Sequence, residues 1–418
     1  AVPEEYGLSS SLLHKIDSIA LDGIRQGAFP GCQVVVMKEG RVMFDKAFGT
    51  HGGKGTPSVE SEHLYDLASL SKTTATLLAV MKLYDKGRFN LTDRIADYLP
   101  FLQHTDKKDI TIQELLYHQS GLPSWLPFYQ ELIDKESYTG RLFSVKKDAR
   151  HTVLIGKNTW ANPHFKFKKE WVSPVETGDY RIRLCEHLWL NRFFIQGMEQ
   201  KPKRYRYRDL GFLLLGKMVE QLAGMPMEAY LQQEFYRPMQ LKRTAYLPLR
   251  SFSKTEIVPS CNDRFFRKEV LQGYVHDEAC VLYGGTGGNA GLFSNARDVA
   301  RVYQMLLNGG ELDGKRYLSE ETCRLFTTSV SKISRRGLGF DKPDAANPTK
   351  GPCPACVPAA VYGHTGFTGT CAWVDPVNEL VYVFLSNRIY PDVTNLKLMQ
   401  LDIREKIQEA IYGAMTKK

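Results

Sequence analysis

The chain has 418 residues and a formal charge of +9, with 43% hydrophobic and 24% charged residues, a composition ordinary for a soluble globular protein with about two or three domains' worth of core. No apolar run approaches the ~18 residues that span a bilayer; Leu213-Leu214-Leu215 is cut by Gly211, Gly216 and Lys217. The positive excess is concentrated between Lys146 and Arg208, including Lys166, Lys168, Lys169, Lys201, Lys203, Arg204 and Arg206. Trp160, Phe165, Phe167, Trp171 and Tyr205 are interleaved with it. No helix-turn-helix, zinc-finger or RNA-sheet signature accompanies the run, which argues against a nucleic-acid partner. A solvated basic face is expected, or attraction of an anionic substrate or envelope polymer.

Along the chain, Cys32 to Phe48 reads as a hairpin, with β-favouring Val34–Met37 and Val42–Phe44 joined near Glu39-Gly40. From Leu70 the pattern turns helical and stays largely so through Leu116, with Asp93 to Leu99 short and closed by Pro100. Residues 129–204 are basic and aromatic without a clean period, and are expected to form loops and short elements of an insertion. Gly211 to Ala223 is helical. The glycine-rich run Gly284–Gly291 lacks the Gly-Lys-Ser/Thr ending of a phosphate cradle and is expected to allow close backbone packing. Ala296 to Leu307 reads as a helix ending at Gly309-Gly310. Thr370–Val374 and Leu380–Ser386 form a second hairpin, and Asn395 to Ile411 carries one helical apolar stripe. Strands at both ends with helices between them predict an α/β (α+β) unit. Residues 1–68 and 275–418 would form the α/β subdomain, and 69–274 a mainly helical subdomain carrying the insertion.

The eight cysteines, at 32, 185, 261, 280, 323, 353, 356 and 371, permit disulfides but give no framework. Cys353-Pro354-Ala355-Cys356 is either a loop disulfide or two free thiols, and a single C-x-x-C is weak evidence for metal. The histidines include no H-E-x-x-H, and His276-Asp277-Glu278 are adjacent side chains that rarely converge. No metal and no cofactor are expected.

Ser69-Leu70-Ser71-Lys72 places a hydroxyl and an amine three residues apart at the start of a predicted helix, on one face. Serine is a poor nucleophile without an adjacent base, and a helix N-terminus supplies free N–H groups suited to an oxyanion. Alone, this spacing also occurs by chance on solvated helices. Two further segments follow, Tyr205-Arg206-Tyr207-Arg208-Asp209-Leu210-Gly211 and Tyr362-Gly363-His364-Thr365-Gly366-Phe367. Between the first and these lies Leu115-Leu116-Tyr117-His118-Gln119-Ser120-Gly121-Leu122-Pro123.

In that order, the four segments resemble the S-x-x-K, helix-to-loop, Tyr-x-Asn and Lys/His-Thr-Gly elements of the serine β-lactamase and penicillin-binding-protein family. Its class C β-lactamases, DD-peptidases and esterases are the relevant relatives. The resemblance implies a β-lactamase/transpeptidase-like fold, an antiparallel sheet flanked by helices with an inserted helical subdomain. It implies Ser69 as nucleophile, with Lys72 and Tyr207 sharing the proton handling; which of them is the acylation base stays open. A lysine beside the phenol is expected to lower its pKa. The oxyanion donors would be the backbone N–H groups of Ser69 and Phe367, and Thr365, Gly366 and Trp125 would contact substrate.

Asp209 departs from the commoner asparagine; a carboxylate only accepts hydrogen bonds, so it should hold Lys72 charged. His364 replaces a permanent cation with a side chain that is mostly neutral above pH ~6.5. Slow or absent β-lactam hydrolysis is expected from both changes. Gly31-Cys32-Gln33-Val34, Val275-His276-Asp277-Glu278 and Gly291-Leu292-Phe293-Ser294 are also similar to β-lactamase-related modules that follow family 3 N-acetylhexosaminidases. That likeness implies a cell-wall context, a periplasmic or exported location, and a start at Ala1 that is a domain boundary behind a glycosidase domain. The expected activity is hydrolysis of an amide or ester through an acyl-enzyme, on a small molecule or a peptide derived from peptidoglycan. A carboxylesterase and a non-hydrolytic β-lactam or peptidoglycan sensor are the alternatives, and intact Ser69, Lys72 and Tyr207 speak against a dead site.

Overall fold

The computed structural model describes residues 1–169 and 204–416. Its main sheet has five antiparallel strands: β1 (Gly31–Lys38), β2 (Arg41–Gly49), β3 (Tyr362–Gly366), β4 (Thr370–Asp375) and β5 (Leu380–Ser386). Their order is β3-β4-β5-β1-β2, so the two hairpins read from the sequence are joined edge to edge by β1 and β5. The register sets Val35 opposite Val383 and Cys371 opposite Phe384.

Alternation along each strand sends neighbouring side chains to opposite faces. Val34, Val36, Trp373, Tyr382 and Phe384 pack with Leu13, Ile16, Ile403, Ile407 and Ile411. Val35, Met37, Ala372, Val381 and Val383 pack instead with Leu77, Met81, Val299 and Tyr303. Both faces are covered, which explains strands that are apolar at nearly every position. A slip of one residue would exchange the two sets.

The first face is covered by helices α1 (Lys15–Arg25) and, near the end of the chain, Ile403–Gly413. The predicted terminal helix is broken there into Lys397–Gln400 and Ile403–Gly413, with Asp402 at φ 50 between them. The two ends of the chain meet: Leu8 bridges Met415, and Ser9 N–H donates to the Ala414 carbonyl at 2.8 Å.

On the other face lie α2 (Leu77–Asp85), α3 (Leu210–Ala223) and α4 (Ala296–Leu307). The Asn295 side chain caps α4 by accepting the Asp298 N–H at 2.9 Å. The helical reading between Leu70 and Leu116 holds only in part. Gly87 and the Asn90–Asp93 turn interrupt it, and only single turns at Ile95–Asp97 and Pro100–Leu102 precede the short helix Ile112–Leu116.

Within 129–169 the expected short elements are a 3-10 turn at Phe128–Leu132 and a small sheet of Phe143–Ser144, Thr159–Ala161 and Val153–Gly156. Tyr129, Phe143 and Phe165 pack this segment against Phe265. The remainder of the predicted insertion, with Trp171, Cys185, Lys201 and Lys203, lies outside the described residues. Cys353 and Cys356 are free thiols, the first buried and the second exposed.

Candidate active site

Ser69 sits in a 3-10 turn, Ala68–Leu70, that runs into a π-helical turn, Lys72–Thr76, and then into α2. The wide π turn is a device often found at functional sites. Lys72 is fully buried. Its Nζ donates to Ser69 Oγ at 2.9 Å, Tyr207 OH at 2.7 Å, Asp209 Oδ1 at 2.6 Å and the Asn289 carbonyl at 3.2 Å. Tyr207 OH in turn donates to Ser69 Oγ at 2.9 Å. The hydroxyl, ammonium, phenol and carboxylate predicted from remote parts of the chain therefore stand in one hydrogen-bonded group.

The glycine-rich run shapes one wall of that group. A Cβ on Gly288 would lie 2.0 Å from the Phe212 carbonyl oxygen, so only glycine lets this backbone press against α3. That approach brings the next carbonyl, Asn289, onto Lys72, while Thr76 Oγ1 donates to the Gly288 carbonyl at 2.7 Å.

The loop carrying Tyr207 is held from beneath. His118 Nδ1 accepts the Arg208 N–H at 3.1 Å, and the His118 carbonyl accepts the Arg206 N–H at 2.9 Å. The His118 ring lies 4.7 Å from that of Tyr207. Arg208 is not part of a solvated basic face: it is buried and donates to the carbonyls of Leu122, His118 and Arg206. His118 lay within a segment singled out in the sequence, without a role. Arg336 had no such signal. It is buried, with its guanidinium carbon 4.9 Å from the Tyr207 ring, and it donates to His364 Nε2 at 3.3 Å and Tyr205 OH at 3.2 Å.

Burial pulls the Lys72 amine down, but Asp209 and Tyr207 beside it outweigh that, and its pKa is held above the usual lysine value. Tyr207 corrects an expectation. Its burial outweighs the pull of Lys72 and Arg336, so the phenol is raised rather than lowered and is neutral at rest. His364 is pushed down to about 3 by burial and by the cations Arg336 and Lys72. Its Nδ1 lies 2.6 Å from the Thr365 carbonyl and so carries the proton, leaving Nε2 to accept from Arg336.

β3 runs close beside the serine turn: a Cβ on Gly366 would meet the Leu67 carbonyl at 2.5 Å. Phe367 occupies the first corner of the Gly366–Gly369 turn, closed by Gly369 N–H to the Gly366 carbonyl at 3.0 Å, a bond that leaves the Phe367 N–H unused. A cavity of about 470 Å³ opens over Ser69, Tyr207, Asp209, Trp125 and Phe367, and Asp263, Asp277, Glu278 and Asp392 also line it. Burial, then Asp263, push Glu278 up to about 8. His364 is buried against Arg336, its Nε2 accepting from that guanidinium. Among the described residues, no three His, Cys, Asp or Glu side chains are grouped to hold a metal ion.

The family model described as Beta-lactamase matches residues 16–401. The chain belongs to the β-lactamase family. It is a serine hydrolase of that family, and it is similar to a protein of Escherichia coli (strain K12) described as "Putative D-alanyl-D-alanine carboxypeptidase". The two are 30% identical over 421 residues, covering 94% of this chain and 86% of that one. A protein of Salmonella typhimurium (strain LT2) with the same description is 29% identical, covering 95% and 88%. Among solved structures, "EstCE1, a hydrolase with promiscuous acyltransferase activity" superposes with a TM-score of 0.68 at 20% identity, covering 97% of this chain and 99% of that one. The D-alanine carboxypeptidase AmpC from Burkholderia cenocepacia superposes with a TM-score of 0.64 at 15% identity, covering 96% and 99%. These structures establish the β-lactamase/transpeptidase-like fold.

Proposed function

We propose that this β-lactamase-family hydrolase cleaves the terminal amide of a peptide ending in D-amino acids, as found in the cell wall, through an acyl-enzyme on Ser69. The observation that carries the reading is the mutual reach of Ser69 Oγ, Lys72 Nζ and Tyr207 OH at 2.7–2.9 Å. With Lys72 charged and Tyr207 neutral, no free base stands beside the serine at rest. As Ser69 Oγ bonds to the carbonyl carbon, its proton passes to the phenol oxygen while the phenol proton passes to the leaving nitrogen, whose bond to that carbon breaks. The phenol is neutral before and after, and the ammonium offsets negative charge that develops on its oxygen during the exchange. The carbonyl oxygen takes up charge facing the N–H groups of Ser69 and Phe367, each worth about 2.7–4 kcal/mol in such a role. Water then repeats the sequence in reverse to release the acid.

Two observations favour a peptide with a free carboxylate. The relatives' description names that activity. Arg335 and Arg336 share the single carboxylate of Asp341, leaving one net positive charge behind His364 and Tyr207. The half-exposed Trp125 and Phe367 at the cavity rim favour the second reading, an esterase acting on an apolar acyl group. A cell-envelope location, periplasmic or exported, belongs to the first reading.

Mass spectrometry after incubation with a fluorophosphonate should place the label on Ser69, and Ser69→Ala should take none and lose at least about 10³-fold in turnover. Equal labelling of the alanine variant would remove the nucleophile from this account. Kinetics on D-alanyl-D-alanine peptides, p-nitrophenyl esters and nitrocefin then divide the readings. The peptide should be the best substrate, and nitrocefin slow.

A further inference from the structure

We propose that Asp66 is the positioning residue that holds the two halves of the oxyanion site in register. The inference rests on the reading that Ser69 is acylated and that the N–H groups of Ser69 and Phe367 face the developing charge.

Asp66 closes the two-residue strand Tyr65–Asp66 and is buried. Three of its oxygens reach three segments. Oδ1 accepts the Ala68 N–H at 2.9 Å, Oδ2 accepts the His276 N–H at 2.8 Å, and the main-chain carbonyl accepts Thr368 Oγ1 at 2.7 Å. Each bond ends beside an oxyanion donor. Ala68 directly precedes Ser69 and has φ 50, a left-handed conformation that a non-glycine residue keeps only when its surroundings impose it. Thr368 directly follows Phe367. His276 stacks on the Phe367 ring, with centroids 5.4 Å apart and planes at 15°, and the Arg388 guanidinium carbon lies 4.6 Å from the same ring.

The chemistry explains why a carboxylate stands here despite its burial. Both N–H groups point inward, and only an ionised carboxylate accepts on both oxygens; an asparagine would present an N–H₂ to one of them. The desolvation cost raises this carboxyl to about 6, and the two N–H bonds pull against that rise. These three bonds of Asp66 end on Ala68, His276 and Thr368 and not on Ser69 Oγ, Lys72 or Tyr207, so it acts on the reaction through the segments that carry the two N–H groups. A misplacement of about 1 Å at such a site costs on the order of 10²-fold in rate.

The test measures fluorophosphonate labelling of Ser69 in the full chain as kinact and KI, together with the dissociation constant of phenylboronic acid, which forms a tetrahedral adduct on the serine, and the melting temperature. Asp66→Asn should lower kinact by about 10²-fold and weaken the boronate similarly, with KI within about 3-fold of wild type. Values of kinact and boronate affinity within 3-fold of wild type, or losses that only follow the unfolded fraction, would overturn the proposal. Should Asp66→Asn not fold, the pair Thr368→Val and Thr368→Ser decides. Valine removes the hydroxyl that meets the Asp66 carbonyl and should lower kinact; serine keeps it and should restore the rate. A valine variant equal to wild type counts against the proposal. Wild-type protein that takes no label on Ser69 would instead reject the underlying acyl-enzyme reading, and the inference with it.

Discussion

The Lys72 cluster and the acidic part of the cavity lining are built on opposite electrostatic principles. In the cluster, the buried ammonium of Lys72 touches the carboxylate of Asp209 at 2.6 Å, and the neighbouring hydroxyls and the Asn289 carbonyl complete its hydrogen bonds. In the acidic lining, burial first and then the charges of Asp263 and Asp277 raise Glu278, with Arg267 as the opposing charge. Opposite charges in contact keep one protonation state over a wide pH range, whereas like charges gathered under low dielectric titrate near neutrality.

The sharpest way to break that contrast is Lys72→Met. It removes the cation and leaves Asp209, Tyr207 and Ser69 without their shared donor, so kcat should fall by at least about 10³-fold with a lowered melting temperature. A loss of less than tenfold would mean that the Lys72 cluster is not the reaction centre. Tyr207→Phe is milder for folding, because Lys72 keeps Ser69, Asp209 and Asn289 as acceptors. Its kcat should drop by about 10²-fold with the melting temperature nearly unchanged; an unchanged kcat would assign proton transfer to Lys72 alone.

Glu278→Gln probes the acidic lining and should have the smallest effect. The folded pKa, about 8, lies above the unfolded value of 4.5. The folded protein therefore binds the extra proton over that interval, and this group's contribution to stability is present below pH 4.5 and lost as pH rises through 8. The variant escapes that loss, so its melting temperature relative to wild type should climb between pH 5 and pH 8. A difference that stays flat with pH would show the carboxyl titrating normally.

Much of the fold was legible because its signals are local. The Glu39-Gly40 turn, the glycines closing α4 and the β-favouring apolar runs of β1 and β5 are each written in a few neighbouring residues. The break at Asp402 was not, since the stripe Leu396, Met399, Ile403, Ile407 continues across one left-handed residue that the period cannot reveal. At the site, Ser69 and Lys72 were readable from their spacing, and Tyr207 and Asp209 from the resemblance of their segment to the family's Tyr-x-Asn element. Arg336 was not, because its importance arises from standing between His364 and Tyr205 in space, while Ser334-Arg335-Arg336-Gly337 carries no pattern. The rise in the Tyr207 pKa was missed for a related reason. Lys72 could be named as its neighbour from sequence, but the depth of its burial could not.

The bridge between Leu8 and Met415 sets the start and finish of the folded body side by side. A short flexible tether could therefore join them and new ends be cut elsewhere, for instance at Gly314, in the turn between the two-residue strands Glu311–Leu312 and Lys315–Arg316. Such a cut falls outside the residues that line the cavity over the serine. It would also give engineers a handle for displaying the enzyme inside another protein's loop.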